Sequence, residues 1–424
     1  AFQLTVEDIV KAETEGLVPE LAPDKDEVTK WIADSLNSAQ YNKVKDWYIG
    51  ELREWILDNY TTNEDIHGIM YGITPAVAAA VAKIMAPLDL ALGSKKILVI
   101  RHANNTCGLP GRFGSRLQPN HPSDDWPAIC AEIKDGFSLA CGDAVLGINP
   151  VLPGWENVKK QFVATENFIE EYGIPTQNSI LAHITDQMEA IRHGAPAGLM
   201  FQSLAGNQKT NESFGISIKM IDEGYELMKK YSVSRGPAKM YWETGEGTEL
   251  SAGYAFGVDQ LTYEARKYGL ARRWPTFMLD SVVGFIGPEY LNGVRQLYRA
   301  GLEDLFCGKL LDIPAGADVC YTFHNPTDGV GDEHAMEIIE VAAGCQFLMS
   351  IPGGDDIMLF YGTTAHHDNQ SLRELLGLRP YPEFEKWCED WGILHDGKFT
   401  AKAGDPSIFP HDPEYFLKRK TSWW

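Results

Sequence analysis

Eight short and mostly apolar runs recur along the chain, each bounded by Gly, Pro, Asn or Asp. Most are separated by segments long enough for a helix, such as residues 155–172, 214–231 and 287–308. A parallel strand is buried on both faces, so it reads as a continuous apolar run. Strands that alternate with helices indicate a parallel sheet, and eight of them can close a barrel. The sequence therefore predicts an α/β protein built on a (β/α)8 TIM barrel, with strands at residues 97–101, 144–149, 179–184, 199–204, 238–243, 277–285, 319–323 and 346–351.

The two ends of the chain extend beyond this predicted barrel. The 424 residues exceed the roughly 250 of a minimal barrel. We expect an N-terminal helical region at 1–90, a catalytic barrel at 91–370, and C-terminal helices with a tail at 371–424. Apolar spacing and caps predict helices in these end regions at residues 26–36, 42–58, 74–86, 371–378 and 382–391.

Charge and composition exclude several kinds of partner. The formal net charge is −22, whereas nucleic acid or an anionic membrane requires basic surface. No apolar stretch reaches the roughly 18 residues of a membrane span, and the first residues lack a signal core, which predicts a cytoplasmic protein. Seven scattered cysteines without metal or redox spacing are expected to be reduced and mostly buried.

Five polar or charged residues stand at or just beyond segments of strand length: Arg116, Gln118, Asn149, Glu243 and Asp318. If the runs close into one barrel, these side chains meet at one mouth, where barrel enzymes place their active sites. Arg116 and Gln118 are two residues apart in a predicted extended loop, so both side chains point the same way. Ordinary roles stay open: an ion pair for Glu243 or Asp318, a solvated loop arginine for Arg116, and a turn at Asn149.

Other motifs give weaker signals. His366-His367-Asp368 resembles a metal patch, but adjacent side chains point apart and no third ligand follows at metal spacing. The glycine-rich segment 245–253 lacks the dinucleotide fingerprint. No Ser-His-Asp or Gly-x-Ser-x-Gly pattern supports nucleophilic hydrolysis.

Long segments in one consistent order resemble the large, catalytic subunit of ethanolamine ammonia-lyase, an adenosylcobalamin-dependent enzyme. The resemblance runs through nearly the whole chain, and the family's barrel fold agrees with the eight runs. It is carried by Ser115-Arg-Leu-Gln-Pro-Asn120, Gly142-Asp-Ala-Val-Leu-Gly-Ile-Asn-Pro150, Arg192-His-Gly-Ala-Pro196, Phe201-Gln-Ser203, Glu243-Thr-Gly245, Val283-Gly-Phe-Ile-Gly-Pro-Glu-Tyr-Leu291, Arg299-Ala-Gly-Leu-Glu-Asp304, Gly354-Asp-Asp-Ile-Met358 and Ala403-Gly-Asp-Pro-Ser407.

The resemblance implies a substrate site made of the five polar residues. Arg116, Asn149 and Glu243 match the family's contacts to the substrate hydroxyl, and Gln118, Glu243 and Asp318 match its contacts to the ammonium. Two carboxylates suit an ammonium ion, while a guanidinium and an amide carry donors for the oxygen. The same comparison makes Arg116, Glu243 and Asp318 the expected catalytic residues.

The resemblance also implies adenosylcobalamin as cofactor, bound over the mouth beneath a separate small subunit. Cofactor contacts of the family fall on Pro150, Gln202, Ser251, Phe285 and Met358, with Ser203 and Met349 as nearby candidates. No protein metal ligand is expected, since cobalt stays within cobalamin. The absence of the Asp-x-His-x-x-Gly pattern fits this arrangement. One departure concerns the adenosyl ribose, where the family has a glutamate and this chain has Ser213.

The implied reaction is radical elimination of ammonia from ethanolamine, or a close vicinal amino alcohol, giving acetaldehyde. The implied partners are the small subunit and further large subunits in a homo-oligomer, in the cytoplasm or within a bacterial microcompartment. Two other classes stay open: a metal-dependent barrel lyase or hydrolase using Glu243, Asp318 and a histidine, and a non-catalytic scaffold derived from the enzyme.

Overall fold

Eight parallel strands form one sheet that is nearly closed into a barrel. The computed structural model describes residues 2–283, 293–320, 330–356, 358 and 361–419. The strands are β1 Gly114–Leu117, β2 Val145–Ile148, β3 Asn178–Ile180, β4 Met200–Ser203, β5 Met240–Gly245, β6 Thr276–Val283, β7 Ala315–Val319 and β8 Phe347–Ser350. Ladders join neighbours in chain order from β1 to β3 and from β4 to β8, and β8 pairs with β1. Between β3 and β4, the Leu199 amide donates to Asn178 O over 3.0 Å. The predicted (β/α)8 barrel is confirmed.

Helices surround the barrel and extend it at both ends. Seven precede β1: α1 Val6–Glu15, α2 Glu27–Ser35, α3 Ser38–Val44, α4 Ile49–Leu57, α5 Asn63–His67, α6 Pro75–Lys83 and α7 Pro87–Lys96. Between and after the strands lie α8 Trp126–Ser138, α9 Trp155–Tyr172, α10 Ile184–Arg192, α11 Gln208–Ser213, α12 Ile218–Tyr231, α13 Thr248–Ser251, α14 Gln260–Ala271, α15 Val294–Leu310, α16 Val330–Ala342 and α17 His366–Leu376. The chain continues through α18 Pro382–Asp390 and α19 Pro413–Lys418. Among the described helices, none combines the length and apolarity that crossing a bilayer requires.

Buried charges hold the N-terminal helices against the barrel layer. Arg266 on α14 is fully buried and lies 3.1 Å from Glu13 and 2.9 Å from Asp26. Close packing accompanies these ion pairs, because a side chain on Gly269 would meet the Pro75 ring at 2.3 Å. Removing one member of a buried ionic group leaves an uncompensated charge, which costs about 3–5 kcal/mol. This contact therefore fixes α1, α2 and α6 relative to the barrel layer.

The prediction of the first strand at residues 97–101 is wrong. The first strand of the barrel is β1, and residues 97–101 lie at the base of the barrel, where Val99 O accepts from Gln346 Nε2 over 2.6 Å. Ile97 and Val99 are apolar because they pack there, fully buried. In β1 the long side chain of Arg116 is buried and paired with a carboxylate, so the strand lacks an apolar signature.

The sequence predicts the seventh strand four residues too late. The predicted range is 319–323 and the strand is Ala315–Val319, while residues 321–323 lie outside the described part of the chain. The strand begins with the small residues Ala315, Gly316 and Ala317, which do not give the bulky apolar pattern of a buried strand. Gly316 has no room for a side chain, since a Cβ would meet the Phe347 ring at 2.3 Å. Asp318 therefore lies at the carboxyl end of a strand rather than before its start. The other six predicted strands overlap observed ones, whereas the helix expected at 42–58 is broken between α3 and α4.

Candidate active site

The Arg116 side chain is the centre of a polar cluster inside the barrel. Its exposed fraction is 1%, and Nη1 donates to Asp280 Oδ2 over 2.9 Å. Nη2 donates to Gln118 Oε1 and, over 3.4 Å, to Asn149 Oδ1. Glu243 Oε2 lies 4.0 Å from Nη1. The structure thus brings together four of the five residues singled out in the sequence, and adds Asp280.

Strand register explains this convergence. Glu243 on β5 is the direct neighbour of Asp280 on β6, and Val282 two residues later is the neighbour of Asp318 on β7. Asn149 follows the last residue of β2. Because the carboxyl ends of parallel strands open at one face of a barrel, these side chains share the catalytic face of the fold.

Asp318 completes the set with a second buried carboxylate. It is 5% exposed, and its Oδ1 accepts from Thr363 Oγ1 over 2.7 Å. Burial raises the pKa of Asp318 well above its ordinary value, and the nearby Asp280 carboxylate raises it further. The Arg116 guanidinium opposes this rise from the same cluster. The ionised form of Asp318 therefore lacks an adequate counter-charge in the protein alone.

Glu243 is poised to change charge near neutral pH. Burial is the largest influence and raises its pKa to about 7, although Arg116 lowers the value and Asp280 raises it. One guanidinium thus faces three carboxyl groups, those of Asp280, Glu243 and Asp318. A cationic ligand would supply the missing positive charge, because an opposite charge within about 4–6 Å favours the ionised carboxylate.

A network on the opposite side holds Gln118. Its Nε2 donates to Tyr361 Oη over 3.1 Å and to Asp356 Oδ2 over 3.3 Å. Asn120 Nδ2 donates to the same Asp356 oxygen over 2.7 Å, and Asn120 Oδ1 accepts from the Asn149 amide over 3.1 Å. These contacts fix the orientation of the Gln118 amide, so Oε1 faces the Arg116 guanidinium and keeps a lone pair for a ligand.

Sequence reasoning missed Asp280 and Tyr241. The Tyr241 hydroxyl donates to Asp280 Oδ2 over 3.3 Å, and its ring lies 5.5 Å from Arg116 Cζ. Asp280 lies within the apolar run 277–285, which is used to predict a strand without considering its one carboxylate. The strand is buried along its whole length, and a carboxylate inside such a strand needs a cationic partner. An acidic residue in the middle of an apolar run is therefore the sequence signal that could have identified Asp280.

A cavity of about 360 Å³ opens beside Glu243. Its walls include Gln202, Ser203, Thr244 and Phe214. Thr244 is 3% exposed, and its Oγ1 has no hydrogen-bond partner among the described residues. Pockets for small ligands measure roughly 300–1,000 Å³ and carry few, well-placed polar groups. The cavity therefore has the size and an unused polar atom for a nucleoside-sized group next to the carboxylate.

The other described cofactor candidates are not among the residues that line this cavity. Pro150 is half-buried directly after Asn149, and Ser251 is exposed at the end of α13. The Met358 amide donates to Asp356 Oδ1 over 2.8 Å, which ties it to the Gln118 network. Met349 on β8 is fully buried. Phe285 lies outside the described residues.

The metal-lyase alternative receives no support from the described residues. Among the described residues, one group brings at least three His, Cys, Asp or Glu ligand atoms within 4.8 Å of one another. It consists of His334, Glu337 and Asp368 and includes neither Glu243 nor Asp318. In the predicted patch, His366 is buried with its Nδ1 3.2 Å from Ser350 Oγ, whereas His367 is exposed. The two histidines therefore point apart, as their adjacency predicted.

Comparison with known proteins gives a consistent result over almost the full chain. The family described as "Ethanolamine ammonia lyase large subunit (EutB)" matches residues 4–402. The ethanolamine ammonia-lyase large subunit of Salmonella typhimurium is 49% identical over 391 residues, covering 92% of this chain and 86% of the relative. The large subunit from Escherichia coli K12 gives the same identity and coverage. These relatives are carbon–nitrogen lyases by name. The chain belongs to the ethanolamine ammonia-lyase large-subunit family.

Proposed function

We propose that this protein eliminates ammonia from ethanolamine, or from a close vicinal amino alcohol, with adenosylcobalamin as cofactor. The observation that carries the proposal is the single buried guanidinium of Arg116 facing the carboxyl groups of Asp280, Glu243 and Asp318. Such a site favours a small ligand that brings a positive charge and a hydroxyl group. Ethanolamine, the compound in the names of the relatives, is a cation of that kind.

The charges suggest how the substrate is oriented. Its ammonium binds between Glu243 and Asp318 and donates hydrogen bonds to their carboxylates. Gln118 Oε1 offers a third acceptor for this ammonium. Its hydroxyl receives hydrogen bonds from Arg116 and from the Asn149 amide. Charge-assisted hydrogen bonds are roughly twice as strong as neutral ones, so both ends of a two-carbon amino alcohol are fixed. Asp280 holds Arg116 in place and does not contact the substrate.

The cavity beside Glu243 supports an adenosyl-bearing cofactor. Gln202, Ser203 and the unpartnered Thr244 hydroxyl are its candidate contacts for the nucleoside, and Pro150, Ser251 and Met358 are candidates for contacts to the corrin ring. When bound, adenosylcobalamin supplies the radical chemistry that activates a substrate C–H bond. Cobalt stays within the cofactor, so the protein needs no metal ligands of its own.

The protein's own contribution is position, charge and exclusion of water. Arg116, which is 1% exposed, stabilises negative charge that develops on the substrate oxygen in a site of low dielectric constant. Glu243 contacts both ends of the substrate and titrates near neutral pH, so it can accept and return a proton as ammonia leaves. The products are acetaldehyde and ammonia, which together contain all atoms of ethanolamine.

The printed description of the relatives as large subunits supports a small subunit as partner. In this proposal that subunit covers the mouth and shields the cofactor from solvent. Large subunits assemble with one another into a homo-oligomer, in the cytoplasm or within a bacterial microcompartment.

The test is release of ammonia and acetaldehyde from ethanolamine by this chain co-expressed with its small subunit, in the dark, with and without adenosylcobalamin. We expect release only with the cofactor. A matched Glu243→Gln preparation controls for contaminating activity. Cofactor binding without product would contradict ethanolamine as substrate, and a panel of vicinal amino alcohols would then be assayed. Absence of both binding and product would contradict the proposed function and favour a non-catalytic scaffold.

A further inference from the structure

A second cavity lies at the opposite end of the barrel from the candidate active site. Its volume is about 250 Å³. It is lined by the end of α7, the loop 108–112 that leads into β1, the end of α15 and residues 341–346 before β8. These segments lie at the amino ends of β1, β7 and β8. The cavity is therefore separate from the mouth where Arg116 and Glu243 meet.

The wall of this cavity contains a buried lysine that has no carboxylate partner within the part of the chain that the structure describes. Lys309 is 3% exposed, and its Nζ donates to Gly344 O over 3.0 Å. Burial lowers the pKa of Lys309 to about 8; the groups that raise it are the thiols of Cys345 and Cys107, while Lys95 lowers it further. Buried charges in proteins are normally paired. An ammonium with one carbonyl acceptor keeps two donors for another ligand.

The rest of the lining is basic or neutral. Lys95 is exposed at the edge of the cavity, and Arg112 contributes a guanidinium that also contacts Glu385. None of the described residues that line the cavity is Asp or Glu, although the whole chain carries a net charge of −22. A concentration of positive charge in such an acidic protein indicates an anion site rather than a random surface.

Backbone groups add further donors. The cavity is also lined by Gly108, Leu109 and Gly111. The amides of these three residues donate no hydrogen bond to a backbone carbonyl of the described residues. Gly108 and Gly111 have φ values of 84° and 72°, the left-handed region that favours glycine. Gly108 has no space for a side chain, because a Cβ would lie 1.9 Å from Val99 O. Loops with free backbone amides commonly bind anions.

We propose that this basal cavity binds a phosphate group, as inorganic phosphate or on a small phosphomonoester, with Lys309 as the central ligand and Lys95 and the 108–111 amides around it. A volume of 250 Å³ is several times the share of about 30 Å³ that one water molecule takes in the liquid. A phosphate group fits together with some water. Bound phosphate supplies the counter-charge that Lys309 lacks. The proposal does not depend on the lyase reaction.

The test is calorimetric titration of the full-length protein with inorganic phosphate and, separately, with glycerol phosphate, at constant ionic strength. At pH 9 we expect saturable binding with uptake of a proton, measured from the binding heat in two buffers of different ionisation enthalpy. Lys309→Met should weaken binding at least tenfold, and Lys95→Met less. Lys386→Met, at an exposed lysine on α18, should bind as the natural protein does. The stronger of the two ligands identifies the source of the phosphate group.

Two results would overturn the proposal. One is the absence of saturable binding of either ligand to the natural protein. The other is unchanged affinity in a folded Lys309→Met protein, checked by circular dichroism. If that variant does not fold, proton uptake on the natural protein decides: phosphate that binds at pH 9 without taking up a proton does not bind at Lys309.

Discussion

Arg116 and Asp280 form an ion pair that solvent does not reach: Nη1 lies 2.9 Å from Oδ2, and the two side chains are 1% and 0% exposed. Asp280 comes from β6 and Arg116 from β1, across the barrel interior. Because Tyr241 Oη also donates to Asp280 Oδ2, the carboxylate is fixed before any ligand binds. Asp280 therefore fixes the position of the Arg116 guanidinium at the mouth of the barrel.

Asp280→Asn should impair both stability and turnover. The neutral amide removes the carboxylate at 2.9 Å and leaves Arg116 with the more distant Glu243 at 4.0 Å, and breaking a buried ion pair costs up to about 3–5 kcal/mol. The guanidinium should then turn towards Glu243 and compete with the substrate ammonium. We expect KM for ethanolamine to rise and kcat to fall, measured by steady-state kinetics, with unfolding followed in urea.

A surface pair provides the control for this variant. Asp222 and Arg273 lie 2.7 Å apart with side chains 39% and 29% exposed. Exposed ion pairs contribute about 0–1 kcal/mol, so Asp222→Asn should leave kcat and KM unchanged and shift stability only slightly. Equal kinetics in the two variants would mean that Asp280 does not position Arg116.

The part of the fold that the sequence could predict is the part with bulky apolar strands. Leu146, Ile148, Met240 and Trp242 are all buried, so β2 and β5 were recognisable as runs. Polar residues that follow such runs, such as Asn149, can be assigned to the mouth, because strand direction alone sets their position.

What the sequence concealed depends on partners far away in the chain. β1 reads as polar because Arg116 is paired with Asp280, 164 residues later. β7 has a weak apolar pattern because a glycine, Gly316, is needed there to make room for the Phe347 ring. The two cavities are formed by segments that are distant in sequence, so no local pattern could indicate either of them.

Glu243→Gln should remove most of the turnover. The variant keeps the shape of the side chain but cannot balance the ammonium charge or accept a proton. Removing one preorganised electrostatic group costs about 10²–10³-fold in kcat. Ammonia release under saturating cofactor would measure this effect. Glu223→Gln, at an exposed glutamate on α12, is the matched control, and near-normal turnover in Glu243→Gln would remove Glu243 from the catalytic residues.

Substrate affinity should depend on pH through Glu243. Its pKa is raised to about 7, mainly by burial, so the free protein gains a proton there as pH falls through this value. An ammonium substrate favours the carboxylate, and binding therefore releases the proton. We expect KM for ethanolamine to rise, by up to tenfold per pH unit, as pH falls through about 7. Glu243→Gln should abolish the inflection; an inflection that persists in this variant belongs to another group.

Ser213→Glu should strengthen cofactor binding. Ser213 is exposed at the end of α11, next to Phe214 in the wall of the 360 Å³ cavity. Its hydroxyl donates to Thr210 O over 2.7 Å, so it is not available as a donor to a ligand. A carboxylate there can accept from ribose hydroxyls, and hydrogen bonds to charged groups contribute about 1.5–3 kcal/mol. Spectroscopic titration with adenosylcobalamin should give at least a tenfold lower Kd than for Ser213→Gln, and equal values would place the ribose elsewhere.

Glu340→Gln should make stability less dependent on pH. Glu340 on α16 is 1% exposed, neither carboxyl oxygen has a partner among the described residues, and burial raises its pKa to about 8. In the unfolded chain a glutamate titrates near 4.3. Between these values the folded state holds the extra proton, so stability falls as pH rises and the loss is complete above about pH 8. We expect the natural protein to lose a few kcal/mol more than the variant between pH 5 and pH 9, measured by urea unfolding. Parallel curves for the two proteins would show that Glu340 stays ionised when folded, and Glu223→Gln should follow the natural protein at every pH.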